Sequence, residues 1–359
     1  MSELFIFFGF IITLLIMIKK RDSIGFKGGF NLLDIYPLRF CNIIEIIFSD
    51  DIQGTFGFNV QDKNVAHVIV NLCPTESWSL PNWVVLEHKT TVFLDKLKEI
   101  KSRFFDNSTF YIAINKKEGE YVVEAENYAK TIDWMKIFPL EPKYPQDDPV
   151  LLAKVILGVN LDFYQKTTSH GILILDAQTV LAIYESYIHG SEVDFRFVAL
   201  SGSGIKENEI VHVQIGTPIE KLLINKIRDG IKYRVFINGP LRGKETVDFS
   251  QKIDWSVNNI VVLKEQDTKD AFPMFKSEEL RFTTNILGET RRCVYCNFCD
   301  DICPVGLEPA LYYHSHKRGV INTSLYNMGK CIECGLCSFI CPSKIELLKI
   351  IKECRSTQQ

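Results

Sequence analysis

Eight cysteines near the C-terminus constrain this chain more than any other feature. Cys293, Cys296, Cys299 and Cys303 are spaced C-x2-C-x2-C-x3-C and followed by Pro304. Cys331, Cys334, Cys337 and Cys341 repeat the spacing and are followed by Pro342. Three thiolates in one tight loop can ligate three irons of a cubane, while the fourth leaves the loop towards a neighbouring cluster. The spacing therefore predicts two [4Fe–4S] clusters. Cys293, Cys296, Cys299 and Cys341 would hold one, and Cys331, Cys334, Cys337 and Cys303 the other. Each proline lacks an N–H and turns the chain away from its loop. Gly335 suits close approach of backbone to sulfur.

Structural zinc usually takes two separated cysteine pairs rather than four cysteines in one run. A disulfide framework needs an oxidising compartment and usually a small, loop-rich chain. The spacing favours clusters over both. Cys41, Cys73 and Cys354 have no partner spacing and read as small buried hydrophobes or idle thiols.

A chain of 359 residues is long for one domain. Its 46 % apolar and 24 % charged residues are ordinary for a globular protein. With a net charge of −3 and no dominating Lys/Arg run, nucleic acid is not an expected partner. Iron-bound thiolates imply a reducing compartment, so the body is expected in the cytoplasm.

Residues 4–18 read L-F-I-F-F-G-F-I-I-T-L-L-I-M-I without a charge, and Lys19, Lys20 and Arg21 follow at once. A secretory signal would carry its positive charge before the apolar run and small residues after it. Here Glu3 precedes the run and the basic triplet follows. Residues 1–21 thus read as a single transmembrane anchor, slightly short, with the N-terminus outside and the body on the cytoplasmic side.

Short β-branched runs at 43–48, 66–70 and 109–114 read as strands, as do 132–140 and 172–175. Residues 83–104 and 179–188 have helical spacing. Strand, helix, strand is the unit of an α/β sheet. A second unit follows, with strands at 197–200, 212–215, 233–237 and 260–263 and helical spacing at 219–227. A polar link at 273–285 leads to the cysteine region, where 308–317 and 345–354 are helical. The expected domains are the anchor at 1–21, an α/β domain at 22–195, an α+β module at 196–270 and a two-cluster domain at 271–359.

This order of parts resembles the C subunit of Rnf complexes (ferredoxin:NAD oxidoreductases). It also resembles the related A subunit of sodium-translocating NADH:quinone reductases. Lys143-Tyr144-Pro145-Gln146 is similar to the family's K-Y-P-Q segment. Thr217-Pro218-Ile219 resembles the start of its β-grasp (SLBB-like) module, and Gly239-Pro240-Leu241-Arg242-Gly243 its G-P-M-x-G turn. The cysteine runs match fully, including C-I-E-C-G-x-C. The resemblance implies a multidomain fold with a Rossmann-like α/β domain, a β-grasp module and a helical ferredoxin-like domain. It also implies a flavin and NADH site.

At that site the chain departs from the pattern. The family opens with a small barrel domain, where this chain has an apolar segment. The family's Gly-rich flavin loop lets backbone N–H groups approach phosphates. Residues 53–59 here read Q-G-T-F-G-F-N, keeping Gly54, Gly57 and Phe58, while Phe56 crowds the backbone. The family's acidic turn survives only as Glu76, which reads as a turn or cap residue. Asp147 and Asp148 stand where the family has glycines, and two carboxylates there repel an anionic nucleotide. Gly54, Gly57 and Glu76 are thus the residues left of a degenerate site, with the two glycines read in the first place as turn glycines, and little or no bound FMN is expected.

Tyr312, Tyr313, His314 and His316 follow the first cysteine run and read as packing and surface, although a histidine there could tune a cluster. His170 and His189 read as structural. The leading expectation is a membrane-anchored electron-transfer subunit without acid–base catalysis of its own, relaying single electrons between a soluble ferredoxin or flavoprotein and membrane subunits. The alternatives are a flavin-dependent NAD(P)H oxidoreductase with FMN in the α/β domain, and an assembly or scaffold subunit whose clusters are structural.

Overall fold

The computed structural model describes residues 65–86, 89–162, 165–190, 193–264, 290–320 and 327–356. The segment read as an anchor, the strand expected at 43–48, Cys41, Gly54, Gly57 and the 273–285 link lie outside the described residues. Among the described residues no helix is long and apolar enough to cross a membrane.

The first unit runs β1 (His67–Leu72), α1 (Asn82–Leu86), α2 (Thr90–Phe104), β2 (Thr109–Asn115), α3 (Gly119–Ala129), β3 (Met135–Leu140), α4 (Pro149–Leu157), β4 (Ile172–Asp176) and α5 (Ala177–Ile183). A wider helical turn, Tyr184–Ile188, extends α5. All four strands are parallel, in the order β3-β2-β1-β4. That order begins the doubly wound sheet, whose ligand crevice lies beyond the strand C-termini where the order reverses. Here the reversal falls between β1 and β4.

A parallel sheet is covered on both faces, so its strands read as unbroken apolar runs. Side chains alternate between faces. Val68, Val70, Leu72, Ile112 and Ile114 pack into a core with α1, α2, α3 and α5. Ile69, Tyr111 and Ala113 face the other way, towards α4. One nine-residue helix does not cover that face alone. Ile332 and Cys334, from the second cysteine loop, pack beside it.

The second unit runs β5 (Phe195–Ser201), β6 (Glu209–Gln214), α6 (Ile219–Leu223), β7 (Tyr233–Ile237), β8 (Lys244–Thr246) and β9 (Asn259–Lys264). Its sheet order is β6-β5-β9-β7-β8, with β5 and β9 parallel at the centre and the other pairs antiparallel. Gly202 is required where the chain leaves β5. Its φ is +111°, and a Cβ would stand 2.3 Å from the Val262 carbonyl oxygen. The two sheets meet through Ala199 and Ile210, which join the first core, and through polar side chains. Gln178 exchanges hydrogen bonds with both the N–H and the C=O of Phe197, at 2.9 and 3.1 Å. Arg196, 3 % exposed, reaches Asp176 at the end of β4 at 3.0 Å.

The cysteine region carries α7 (Phe298–Asp301), α8 (Pro309–Lys317), α9 (Leu336–Ile340) and α10 (Leu347–Ser356), joined by a small core of Tyr312, Met328, Ile351 and Cys354. These helices are too short to stand alone in water.

Several elements differ from the sequence expectation. The single helix expected at 83–104 is two. Val84, Val85 and Leu86 of α1 are buried, whereas α2 is amphipathic, and the chain breaks between them at Lys89, whose φ of −134° and ψ of 85° are not helical. The helix expected at 219–227 stops at Leu223, with Asn225 in the left-handed region. Helices α3, α4, α7 and α9 and strand β8 are additional to the expectation.

Candidate metal centre

The two cysteine loops share one backbone path. After Cys293, positive φ occurs at Tyr295 (57°) and Asn297 (58°); after Cys331 it occurs at the corresponding Glu333 (56°) and Gly335 (77°). Past the fourth cysteines it recurs at Gly306 (68°) and Lys344 (54°). Alternating right- and left-handed residues turn successive N–H groups inward and form a nest for anionic sulfur. The left-handed region is costly for side chains such as those of Tyr295 and Glu333. The repetition of that cost at matching positions indicates a shared demand for the concave loop. Already the Tyr295 N–H donates to Cys293 Sγ at 3.4 Å and the Leu307 N–H to Cys303 Sγ at 3.3 Å.

Two cavities lie inside these loops. Cys293, Cys296, Cys299 and Cys341 line one. Cys303, Cys331, Cys334 and Cys337 line the other. Each cavity thus takes three cysteines from one run and the fourth from the other. Apolar residues complete the walls: Ala310, Tyr313 and Ile345 in the first, Leu307, Leu336 and Ile351 in the second. Burial pushes the Cys299 and Cys334 thiols up to about 12 and raises Cys331. Thiolates held in such surroundings need cationic iron, which deprotonates a coordinating thiol outright. The donor set, the nests and the cavities fit [4Fe–4S] clusters.

The cavities differ in setting. Cys293, Cys296 and Cys341 are half-buried, and Val294, Tyr295 and Phe298 between them are 64 %, 69 % and 52 % exposed. Cys331, Cys334 and Cys337 are buried. Two carbonyls of the second loop are held from outside. Tyr144 Oη donates to the Cys334 carbonyl at 2.6 Å, and Arg355 Nη1 donates to the Cys331 carbonyl at 3.3 Å and to Glu333 at 3.0 Å. His314 stacks on Tyr295, centroids 4.5 Å apart, and Tyr312 is buried in the small core. Cys73 and Cys354 are buried away from either cavity wall, and burial pushes the Cys73 thiol up to about 12.

A cleft of about 490 Å³ lies at the switch point between β1 and β4, roofed by the turn after β7. Glu76 sits there and clasps that turn. Its carboxylate accepts from the Leu241 N–H at 3.1 Å and the Arg242 N–H at 3.3 Å. Gly239 makes the room, since a Cβ there would stand 2.2 Å from Glu76 Cγ. Asp148 caps α4, accepting from the Val150 N–H at 2.9 Å. Asp147 accepts from the Thr75 N–H at 3.0 Å and from its hydroxyl. Arg242 then meets all three acids: Asp147 at 2.9 Å, Asp148 at 3.6 Å and Glu76 at 3.7 Å. Burial works to lower the Arg242 pKa, but these neighbours outweigh it and hold the guanidinium above its ordinary value. A flavin phosphate entering beside this guanidinium meets a cation already shared among three carboxylates. Arg242 therefore offers an anionic ligand of this cleft little uncompensated charge. Sequence reasoning found Glu76, Asp147 and Asp148 but not their common partner. Arg242 lies far along the chain, and nothing local to it announces an ion pair.

The 4Fe-4S dicluster domain family matches residues 292–345. The chain is 27 % identical over 292 residues to the C subunit of the ion-translocating oxidoreductase complex of Buchnera aphidicola subsp. Acyrthosiphon pisum, covering 78 % of this chain and 58 % of that protein. It is 25 % identical over 268 residues to the same protein of Yersinia enterocolitica, covering 72 % and 36 %. For the Haemophilus influenzae protein (strain Rd) the figures are 26 % over 203 residues, 56 % and 23 %. The chain therefore spans between about a quarter and three fifths of these relatives' lengths. An NAD+-reducing [NiFe]-hydrogenase in the air-oxidised state superposes with a TM-score of 0.46 and 11 % identity, covering 58 % of this chain and 43 % of that one. The chain is thus a mixed α/β protein with a 4Fe–4S dicluster domain, similar to C subunits of ion-translocating oxidoreductase complexes.

Proposed function

We propose that this chain is an iron–sulfur electron-transfer subunit of an ion-translocating oxidoreductase complex, relaying single electrons through two [4Fe–4S] clusters. The observation that carries the reading is the pair of cavities, each lined by four cysteines drawn three and one from the two loops. The solvent-facing first cluster, held by Cys293, Cys296, Cys299 and Cys341, exchanges electrons with a soluble carrier. The second, held by Cys331, Cys334, Cys337 and Cys303, lies inward against the parallel sheet. Iron and sulfide supply the redox chemistry. The chain's own residues exclude water, orient the thiolates and set the polarity around them.

Residues 1–21 tether the body to the cytoplasmic face of a membrane, beside the complex's membrane subunits. The 22–195 part is a Rossmann-like domain whose crevice has become an ion-paired clasp, and 196–270 is a β-grasp, SLBB-like module. The central parallel pair β5–β9 and the two flanking hairpins support that last reading.

Anaerobically purified full-length protein is expected to carry about eight irons per chain, the count for two four-iron clusters, with little or no FMN. Dithionite should produce paramagnetic signals from both clusters. Stoichiometric FMN reducible by NADH would transfer the case to a flavin oxidoreductase. Clusters that no physiological-strength reductant reduces would leave a scaffold.

A further inference from the structure

The second cluster loop is tied to the switch-point clasp through one side chain. Tyr144 donates its hydroxyl to the Cys334 carbonyl at 2.6 Å, and its ring lies under the Arg242 guanidinium at 5.4 Å. The ring also belongs to the apolar core that Ile332 and Cys334 share with the parallel sheet. Arg242 is fixed in turn by Asp147, Asp148 and Glu76. A continuous set of contacts thus runs from the turn after β7, across the cleft, to a ligand of the second cluster.

We propose that Tyr144, held by Arg242, is a positioning residue that sets the reduction potential of the second cluster. This rests on the reading of the protein as a two-cluster carrier. In a planar trans peptide the C=O and N–H point in opposite directions. Drawing the Cys334 carbonyl outward to Tyr144 therefore turns the Gly335 N–H towards the cavity that Cys334 and Gly335 line. Gly335, with φ of +77°, permits that orientation without a side-chain clash. An N–H aimed at cluster sulfur stabilises the reduced, more negative state, and hydrogen bonds to sulfur are among the determinants of cluster potential. The Arg242 charge acts in the same direction. It also keeps the tyrosine ring from swinging away, as a cation over a ring face does. At the first loop a different hydroxyl is engaged, Ser343 Oγ donating to the Arg292 carbonyl ahead of Cys293 at 2.8 Å, so Tyr144 itself acts on the second cluster.

The test is a potentiometric titration of the full chain, followed by electron paramagnetic resonance, with iron counted in parallel. The Cys303→Ser variant, which changes a ligand of the second cluster, assigns the signals. Tyr144→Phe removes only the hydroxyl. It should retain its iron and move the second midpoint to lower potential while the first stays put. Arg242→Gln should move the same midpoint in the same direction, and Arg242→Lys should restore part of the shift. Tyr128→Phe, which loses a bond to Asp95 away from either cluster cavity, should move neither. Selective loss of the second cluster's signal in Tyr144→Phe, with the first intact, supports the same positioning role. Unmoved midpoints with full iron, equal shifts of both, or loss of both signals would overturn it. A wild-type protein without two reducible clusters would instead sink the electron-carrier reading itself.

Discussion

Glu76 is a carboxyl buried to 8 % exposure beside Arg242 and Asp147. Burial pushes its pKa up to about 7 from the ordinary 4.5, against the pull of the Leu241 N–H, the Arg242 charge and the Arg242 N–H. Between those two values the folded chain holds a proton that the unfolded chain has released. That linkage stabilises the fold fully below pH 4.5, and the stabilisation is lost as pH rises through 7. At about 1.4 kcal/mol per pKa unit, the loss is on the order of a few kcal/mol. Glu76→Gln cannot titrate, so its stability should fall less between pH 5 and pH 8 than that of the wild type. Chemical denaturation of both proteins under anaerobic conditions at the two pH values gives the comparison. Parallel pH profiles would show that Glu76 does not titrate in this window.

Helix α4 links the clasp to the sheet. It begins with Asp148 accepting from the Val150 N–H, has Pro149 in its first turn, and ends at Gly158 with φ of +73°. Loss of an N-cap acceptor costs about 1 kcal/mol, and asparagine caps about as well as aspartate. Asp148→Ala should therefore lower the free energy of unfolding, measured by chemical denaturation, by at least that amount, and Asp148→Asn should lower it less. Equal losses would assign the effect to the Arg242 ion pair rather than to the cap.

This helix also shows what sequence reading could reach. The cysteine spacing and the apolar runs of β1, β2, β4, β7 and β9 were legible, because each is a local pattern. The α4 segment, P-V-L-L-A-K-V-I-L, was not, because packing between the sheet and the second cysteine loop leaves it apolar nearly all round and erases the 3.6-residue period. Helix α3 failed in the opposite way. Only Val122 and Ala125 are buried, too few to mark a stripe. The break between α1 and α2 falls at Lys89, whose backbone leaves the helical region, and periodicity does not report it. The Arg242 clasp and the Tyr144–Cys334 bond join residues far apart in the chain, so no window of sequence contains them.

At the scale of the whole molecule the two cluster sites are unequal although their loops are alike. Exposed Val294, Tyr295 and Phe298 surround the first, and three of its four cysteines are half-buried. The second lies against the core of the parallel sheet, and Tyr144 and Arg355 hold its loop carbonyls. Oxidants and chelators reach iron through solvent, so exposure should control the order of loss. Treatment of the as-purified protein with ferricyanide and a chelator should release iron in two phases of about equal size, four irons each for two four-iron clusters. The first phase should abolish the signal that Cys341→Ser alters and spare the one that Cys303→Ser alters. Tyr144→Phe should speed the slow phase and leave the fast phase unchanged, because it loosens only the inner loop. Release in a single phase, or prior loss of the inner cluster, would show that loop exposure does not govern access to the iron.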